Sequence, residues 1–291
     1  MKTAVVFGRG FGLYGHAAAL GQMGWRVLLP ADYRAAVASR AELAGVAERF
    51  EWFDDADTDA VLAASRLLCL ARRPDDNLQC LRRLGSGAAP ALLVVEKPLA
   101  RDAAESLQWL GALAARGRRF STPYLLLYTA WYAELARAIE SGRGCEIDWA
   151  HRRAPALASW KSDAGAGGGA LAFYVIHLFA VFRALGLEVQ AIERRGEQWL
   201  LQAGSLRAVF RLAEQPGFRV TAGGEGVFAA DGPFGATPRA GERDPRVGPL
   251  CAFYRAVEDS AGMTQDLEFH RRVFGDWSRA EGMPQHVEDL R

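Results

Sequence analysis

Short apolar runs alternate with amphipathic stretches over the first 120 residues. Thr3 to Phe7, Trp25 to Leu29, Leu67 to Ala71 and Ala91 to Val95 have strand length and are dense in Val, Leu and Ala. His16 to Met23, Asp75 to Leu84 and Ala103 to Ala115 carry helical spacing, and Arg119 to Ser121 opens a further strand. Strands that are apolar on both faces need cover on both faces. The alternation therefore predicts a parallel, doubly wound sheet flanked by helices.

Beyond residue 121 the rhythm changes. A helix is predicted around Ala130 to Ser141, a glycine-rich loop at Gly165 to Gly169, and an apolar helix at Ala170 to Leu185. Val189 to Arg194, Gln198 to Gln202, Leu206 to Leu212, Phe218 to Thr221 and Gly226 to Ala229 then follow with short turns, the pattern of a mostly antiparallel sheet with one face open. Asp231 to Gly248 reads as loop, and Leu250 to Glu258 and Leu267 to Glu281 as closing helices. The expected fold is α/β: a doubly wound domain over residues 1–120 and an α+β domain on the open sheet over residues 121–291.

Composition narrows the function classes. A chain of 291 residues, half of them hydrophobic, can build two sizeable cores. Lys and Arg number 35 against 34 Asp and Glu, so the cationic excess that a nucleic-acid partner demands is missing. The N-terminus lacks the pattern of a signal peptide, and the apolar run Ala170 to Phe182, interrupted by His177, is shorter than the ~20 residues of a membrane helix. A cytoplasmic protein without a membrane partner is expected. Cys69, Cys80, Cys145 and Cys251 lack metal-ligand or Cys-x-x-Cys spacing, so they read as reduced, buried residues, and no metal is expected.

The first strand empties into Gly8-Arg9-Gly10-Phe11-Gly12-Leu13-Tyr14-Gly15. A dinucleotide pyrophosphate needs backbone N–H groups at a helix start with no side chains in the way, and Gly8 and Gly10 stand where the first two glycines of a Rossmann fingerprint belong. The third position falls on Leu13, with Gly12 one earlier. The register Gly10-x-Gly12-x-x-Gly15 restores the spacing but lengthens the strand by two residues. The first register is preferred; it starts the helix near Gly12 and turns Leu20 onto the sheet. At the end of the second strand, Asp32 suits the ribose hydroxyls of NAD, whereas Arg34 suits the extra phosphate of NADP. Both cofactors stay open, with NAD favoured. Arg72, after the strand ending at Ala71, lies on the same predicted sheet edge.

Three segments carry a family resemblance: the opening Gly8-x-Gly10 with His16 and Leu20, the tripeptide Glu96-Lys97-Pro98 after an apolar strand, and Gly167-Gly168-Gly169-Ala170-Leu171 followed by His177. The sequence resembles the Gfo/Idh/MocA superfamily of glucose-fructose oxidoreductases and inositol dehydrogenases, best over the first 120 residues and thinly after residue 190. The resemblance implies an NAD(P)-dependent oxidoreductase acting on a hydroxyl or carbonyl carbon of a sugar, nucleotide sugar or cyclitol. It implies a cofactor site of Gly8, Gly10, Phe11, Gly12, Leu13, Asp32, Arg34, Arg72, Glu96 and Lys97. In it Lys97 steadies negative charge on the substrate oxygen, His177 exchanges the alcohol proton, and the bond before Pro98 is cis. Tyr124, Trp160, Lys161 and Gly169 fall where the family binds substrate, and the open sheet implies a homodimer or homotetramer.

Departures from the pattern are equally specific. The family's dehydrogenases carry Asp four residues before the histidine; here that residue is Phe173, and Tyr174 is the substitute candidate for a proton-relay hydroxyl. Tyr124 to Tyr128 is apolar apart from its tyrosines, where relatives place Asn and Arg. Reduction of an imine or another unsaturated bond, and a dinucleotide-binding sensor or assembly protein without turnover, are the alternatives these departures leave.

Overall fold

A computed structural model of the chain describes residues 1–84, 90–153, 160–259 and 267–283. The expected division at residue 120 is linear, whereas the packing is not. One compact unit comprises Met1–Ala100, Gln108–Pro123 and Pro238–Leu267; the other comprises Arg101–Leu107, Tyr124–Thr237 and the residues from Glu268 onward.

The first unit holds a six-stranded sheet in the order β3-β2-β1-β4-β5-β6. Its strands are β1 (Thr3–Phe7), β2 (Arg26–Pro30), β3 (Phe50–Phe53), β4 (Leu67–Leu70), β5 (Leu92–Val95) and β6 (Arg119–Ser121). Every pairing is parallel. This is the Rossmann strand order, whose crevice opens at the C-terminal ends of β1 and β4, where the winding reverses. Val5, Val6, Leu68, Leu70, Val94 and Val95 are fully buried. Each such side chain contributes roughly 1.5–3 kcal/mol, which is why these strands read as unbroken apolar runs. Helices α1 (Ala18–Gln22), α2 (Arg34–Ala38), α3 (Thr58–Ala64), α4 (Pro74–Leu84) and α5 (Ala103–Ala115) lie along this part of the chain. Strand β3 and helix α3 fill a stretch for which no element was expected.

The second unit holds α6 (Ala130–Glu140), α7 (Ile176–Ala184) and a second six-stranded sheet in the order β12-β11-β7-β10-β9-β8. These strands are β7 (Cys145–Arg152), β8 (Ala191–Arg195), β9 (Gln198–Ala203), β10 (Leu206–Ala213), β11 (Gly217–Ala222) and β12 (Glu225–Ala230). The sheet is antiparallel except between β7 and β10. Strand β7 was not expected, yet it sits in the middle. Alternation sends Ile147, Trp149, Phe210, Phe218 and Val220 inward, where Trp131 of α6 meets Phe218 at 5.0 Å. The outer face carries the ion pairs Glu146–Arg207 and Asp148–Arg211. Helices α8 (Val247–Glu258) and α9 (Leu267–Glu281) follow. Among the described residues no helix is long and apolar enough to cross a membrane.

Candidate functional site

Glycine at position 8 is a steric necessity. Its φ is +146°, and a Cβ there would stand 2.4 Å from the Ala71 carbonyl oxygen at the end of β4. Removing the side chain lets the two strand ends meet at the crevice. Gly10 has open space where a Cβ would be, so the loop's outer surface is free for close approach.

The chain then enters a wide π-helical turn, Gly12–Ala17, before α1 begins. Leu13, in the third fingerprint position, is fully buried and faces the core. Gly15 matters for a different reason: a Cβ there would lie 2.4 Å from the ring of Phe11, so this glycine seats Phe11. The Arg246 guanidinium stacks 4.2 Å from the Phe11 ring and is held by Asp244 through bonds of 2.9 and 2.7 Å.

At the end of β2, Asp32 is exposed and ion-paired with Arg9, whose guanidinium lies 5.2 Å over Tyr33. The Gly8 N–H donates to the Tyr33 hydroxyl at 3.1 Å. Arg34 lies over Trp52, 4.9 Å away on β3, and Arg72 over Phe7, also at 4.9 Å. The cation beside Asp32 is thus Arg9, between the two glycines, and not Arg34. No sequence pattern singles out Arg9.

Glu96 and Lys97 follow β5 directly, and the Lys97–Pro98 bond is cis. His16 is fully buried. Its Nε2 lies 3.0 Å from Glu96 Oε1 and its Nδ1 2.7 Å from the Tyr254 hydroxyl on α8. Burial works against an imidazolium here, but Cys69 and the Glu96 carboxylate outweigh it and push the group up to about 10.

In the second unit, Gly168 passes so close to the Trp160–Lys161 backbone that a Cβ would stand 2.1 Å from the Trp160 carbonyl oxygen. Gly169 turns the chain at φ +82° into a second wide turn, Leu171–Val175. Phe173 on that turn meets the Trp160 ring at 5.8 Å and the Lys161 ammonium at 5.5 Å. Two of the family-implied positions, Trp160 and Lys161, therefore come together on Phe173. Tyr174 was expected on the face of His177. Its ring instead stacks on Phe210 at 5.5 Å, and lies 4.0 Å from His151, in the aromatic layer over the sheet. Tyr124 stands edge-on to His177 at 6.2 Å. Tyr124 also lies 5.9 Å from His270 of α9, a fully buried residue that no sequence pattern had singled out. The Arg183 guanidinium at the end of α7 binds Asp276 of α9 at 2.6 and 2.8 Å.

No protein-family model matches the sequence, and no curated protein matches it. Solved structures match by shape. The WlbA (WbpB) dehydrogenase from Thermus thermophilus, crystallised with NAD and UDP-GlcNAcA, superposes with a TM-score of 0.71 at 17% identity over 98% of this chain and 96% of its own. A myo-inositol dehydrogenase from Corynebacterium glutamicum ATCC 13032 gives 0.67 at 15% identity, over 97% and 96%. The chain shares the two-domain fold of these solved dehydrogenases. The transcriptional regulator Gal80p from Kluyveromyces lactis shares it too, at a TM-score of 0.67 and 12% identity over 96% and 90%. At such identities the likeness is one of architecture, and function has to be argued from the side chains.

Proposed function

We propose that the protein is an NAD(P)-dependent oxidoreductase acting on a carbon that bears a hydroxyl or carbonyl group in a sugar, nucleotide sugar or cyclitol. One observation carries the reading. The ends of three neighbouring strands, β1, β4 and β5, bring together the Gly8–Ala71 close approach, the open loop at Gly10 and the Glu96–Lys97 turn. The residues fit a dinucleotide: Gly10 leaves the backbone bare where a pyrophosphate would approach, and Asp32 ends β2 where ribose hydroxyls would bind. NAD is preferred to NADP on that carboxylate. When bound, the nicotinamide supplies the hydride acceptor or donor.

The chain's own groups do the rest. The Lys97 ammonium steadies negative charge as it develops on the substrate oxygen, and the His177 imidazole takes or returns the alcohol proton. Trp160 and Phe173 offer ring faces to a sugar, with Lys161 beside them for a carboxylate or phosphate. Self-association as a homodimer or homotetramer belongs on the outer face of the second sheet. Light scattering across salt concentrations tests it, because charged pairs line that face.

Phe173 also favours a second reading, a dinucleotide-binding sensor without turnover. It removes a carboxylate from the helix leading to His177, and a regulator, Gal80p, shares the fold. Imine reduction, which needs no such carboxylate, is the enzymatic variant. Titration of NADH and NADPH against tryptophan fluorescence, followed by assays on sugar, cyclitol and imine panels, separates them. Lys97→Ala and His177→Ala are expected to lower turnover by roughly 100-fold or more. Wild-type rates in both variants would overturn the assigned roles.

A further inference from the structure

His16 joins three pieces of the first unit that are distant in the chain. It belongs to the wide turn after the glycine loop; its Nε2 faces Glu96, directly before Lys97; its Nδ1 faces Tyr254, which lies 238 residues further on. His16 and Tyr254 are fully buried, and the Glu96 side chain is 13% exposed. Solvent therefore cannot stand in for either partner of the imidazole, and removal of one strands the others. The bridge closes in either protonation state of the ring: Nε2–H donates to the Glu96 carboxylate, and Nδ1 accepts from the Tyr254 O–H when neutral or donates to its oxygen when protonated.

We propose that His16 and Tyr254 are positioning residues: the buried imidazole ring bridges Glu96 to the Tyr254 hydroxyl and thereby locks the glycine loop, the Lys97 turn and α8 into one rigid cofactor edge. The inference rests on the oxidoreductase reading and adds two residues to it that touch neither cofactor nor substrate. It explains why the chain returns at residues 238–267 to pack with the first unit. A tyrosine from that segment closes the bridge, so the dinucleotide edge is complete only when the returning helix is in place.

The test compares Tyr254→Phe, which deletes one oxygen and keeps the ring, with His16→Gln and with a packing control on the same helix, Val257→Ala. NADH and NADPH dissociation constants are read by tryptophan fluorescence beside each melting temperature. Tyr254→Phe is expected to raise the dinucleotide Kd about fivefold, the loss of one buried hydrogen bond, and His16→Gln to raise it further. Val257→Ala is expected to lower the melting temperature while leaving Kd within about twofold. Normal dinucleotide binding by the wild type and by both bridge variants would overturn this inference alone, whereas no binding by the wild type would overturn the oxidoreductase reading with it. Nitrogen-15 spectra of histidine-labelled protein at pH 8 give the readout that needs no cofactor. A His16 ring protonated at Nε2, the nitrogen facing the Glu96 carboxylate, supports the bridge; a ring with that nitrogen bare refutes it.

Discussion

Replacing Asp276 with alanine is expected to cost as much stability as truncating a fully buried phenylalanine of α7. Asp276 is 1% exposed on α9 and binds Arg183 of α7 through both oxygens, at 2.6 and 2.8 Å, with Arg279 at 3.3 Å. The Arg183 side chain is only 12% exposed, and its other anionic neighbour, Glu188, lies 3.7 Å away with 86% exposure. Burial disfavours the Arg183 cation, and the paired Asp276 more than compensates, so the guanidinium is held above its ordinary range. Deleting Asp276 leaves a nearly buried charge whose remaining partner is screened by water. Breaking such a pair costs about 3–5 kcal/mol. Asp276→Asn keeps an acceptor and is expected to cost less. Arg183→Met in the Asp276→Ala background is expected to recover part of the loss, giving a double-mutant coupling of at least about 1 kcal/mol. Urea denaturation followed by far-ultraviolet circular dichroism measures wild type, these variants and the Arg183→Met single variant that closes the cycle. A cost below about 1 kcal/mol for Asp276→Ala, or strict additivity, would refute the reasoning. The pair also fixes α7, which carries His177, to α9, which carries His270, so turnover is expected to fall with it.

Three further outcomes follow from the first unit. The folded His16 lies at about 10 against an ordinary 6.5, so its contribution is fully present below pH 6.5 and is lost as pH rises through 10. At about 1.4 kcal/mol per pH unit the loss is bounded at on the order of 5 kcal/mol, and urea midpoints between pH 7 and 10 should fall in wild type but stay flatter in His16→Gln. Gly8→Ala puts a Cβ against the rigid Ala71 carbonyl at a φ of +146°, and should cost at least about 2 kcal/mol in the same denaturation assay. Asp32→Ala frees Arg9 from its ion pair, so the NADPH Kd is expected to drop about tenfold relative to that of NADH; unchanged preference would remove Asp32 from the ribose assignment.

Much of the first unit was legible because its strands are buried on both faces, leaving runs such as Leu92–Val95 with no polar residue to confuse the pattern. Strand β3 is four residues long, with only Phe50 and Phe53 buried, and its sequence differs little from that of a half-buried turn. Strand β7 does alternate, with Cys145, Ile147 and Trp149 inward. Its central place depends on pairing with β10, about 60 residues later, which no local pattern encodes. The same holds for Tyr254 and His270. Tyr254 stands among apolar residues on α8, His270 shares the buried face of α9 with Asp276, and only tertiary packing brings them to His16 and Tyr124.

The misread positions share one cause, which is the helical period assumed for them. Both histidines of interest sit at a wide turn: His16 inside Gly12–Ala17, and His177 just after Leu171–Val175. A π-helical turn holds an extra residue, so side chains beyond it are rotated from the faces that a 3.6-residue period assigns. In the glycine loop this turns Leu13 into the core and sets Gly15 under Phe11, which accounts for a fingerprint whose third glycine looks displaced. In the second unit it rotates Tyr174, three residues before His177, toward the sheet, while Phe173 meets Trp160 and Lys161 and Tyr124 stands edge-on to His177. Inserted turns of this kind persist where a side chain must be aimed rather than merely packed, and among the described residues one such turn contains His16 and another ends just before His177.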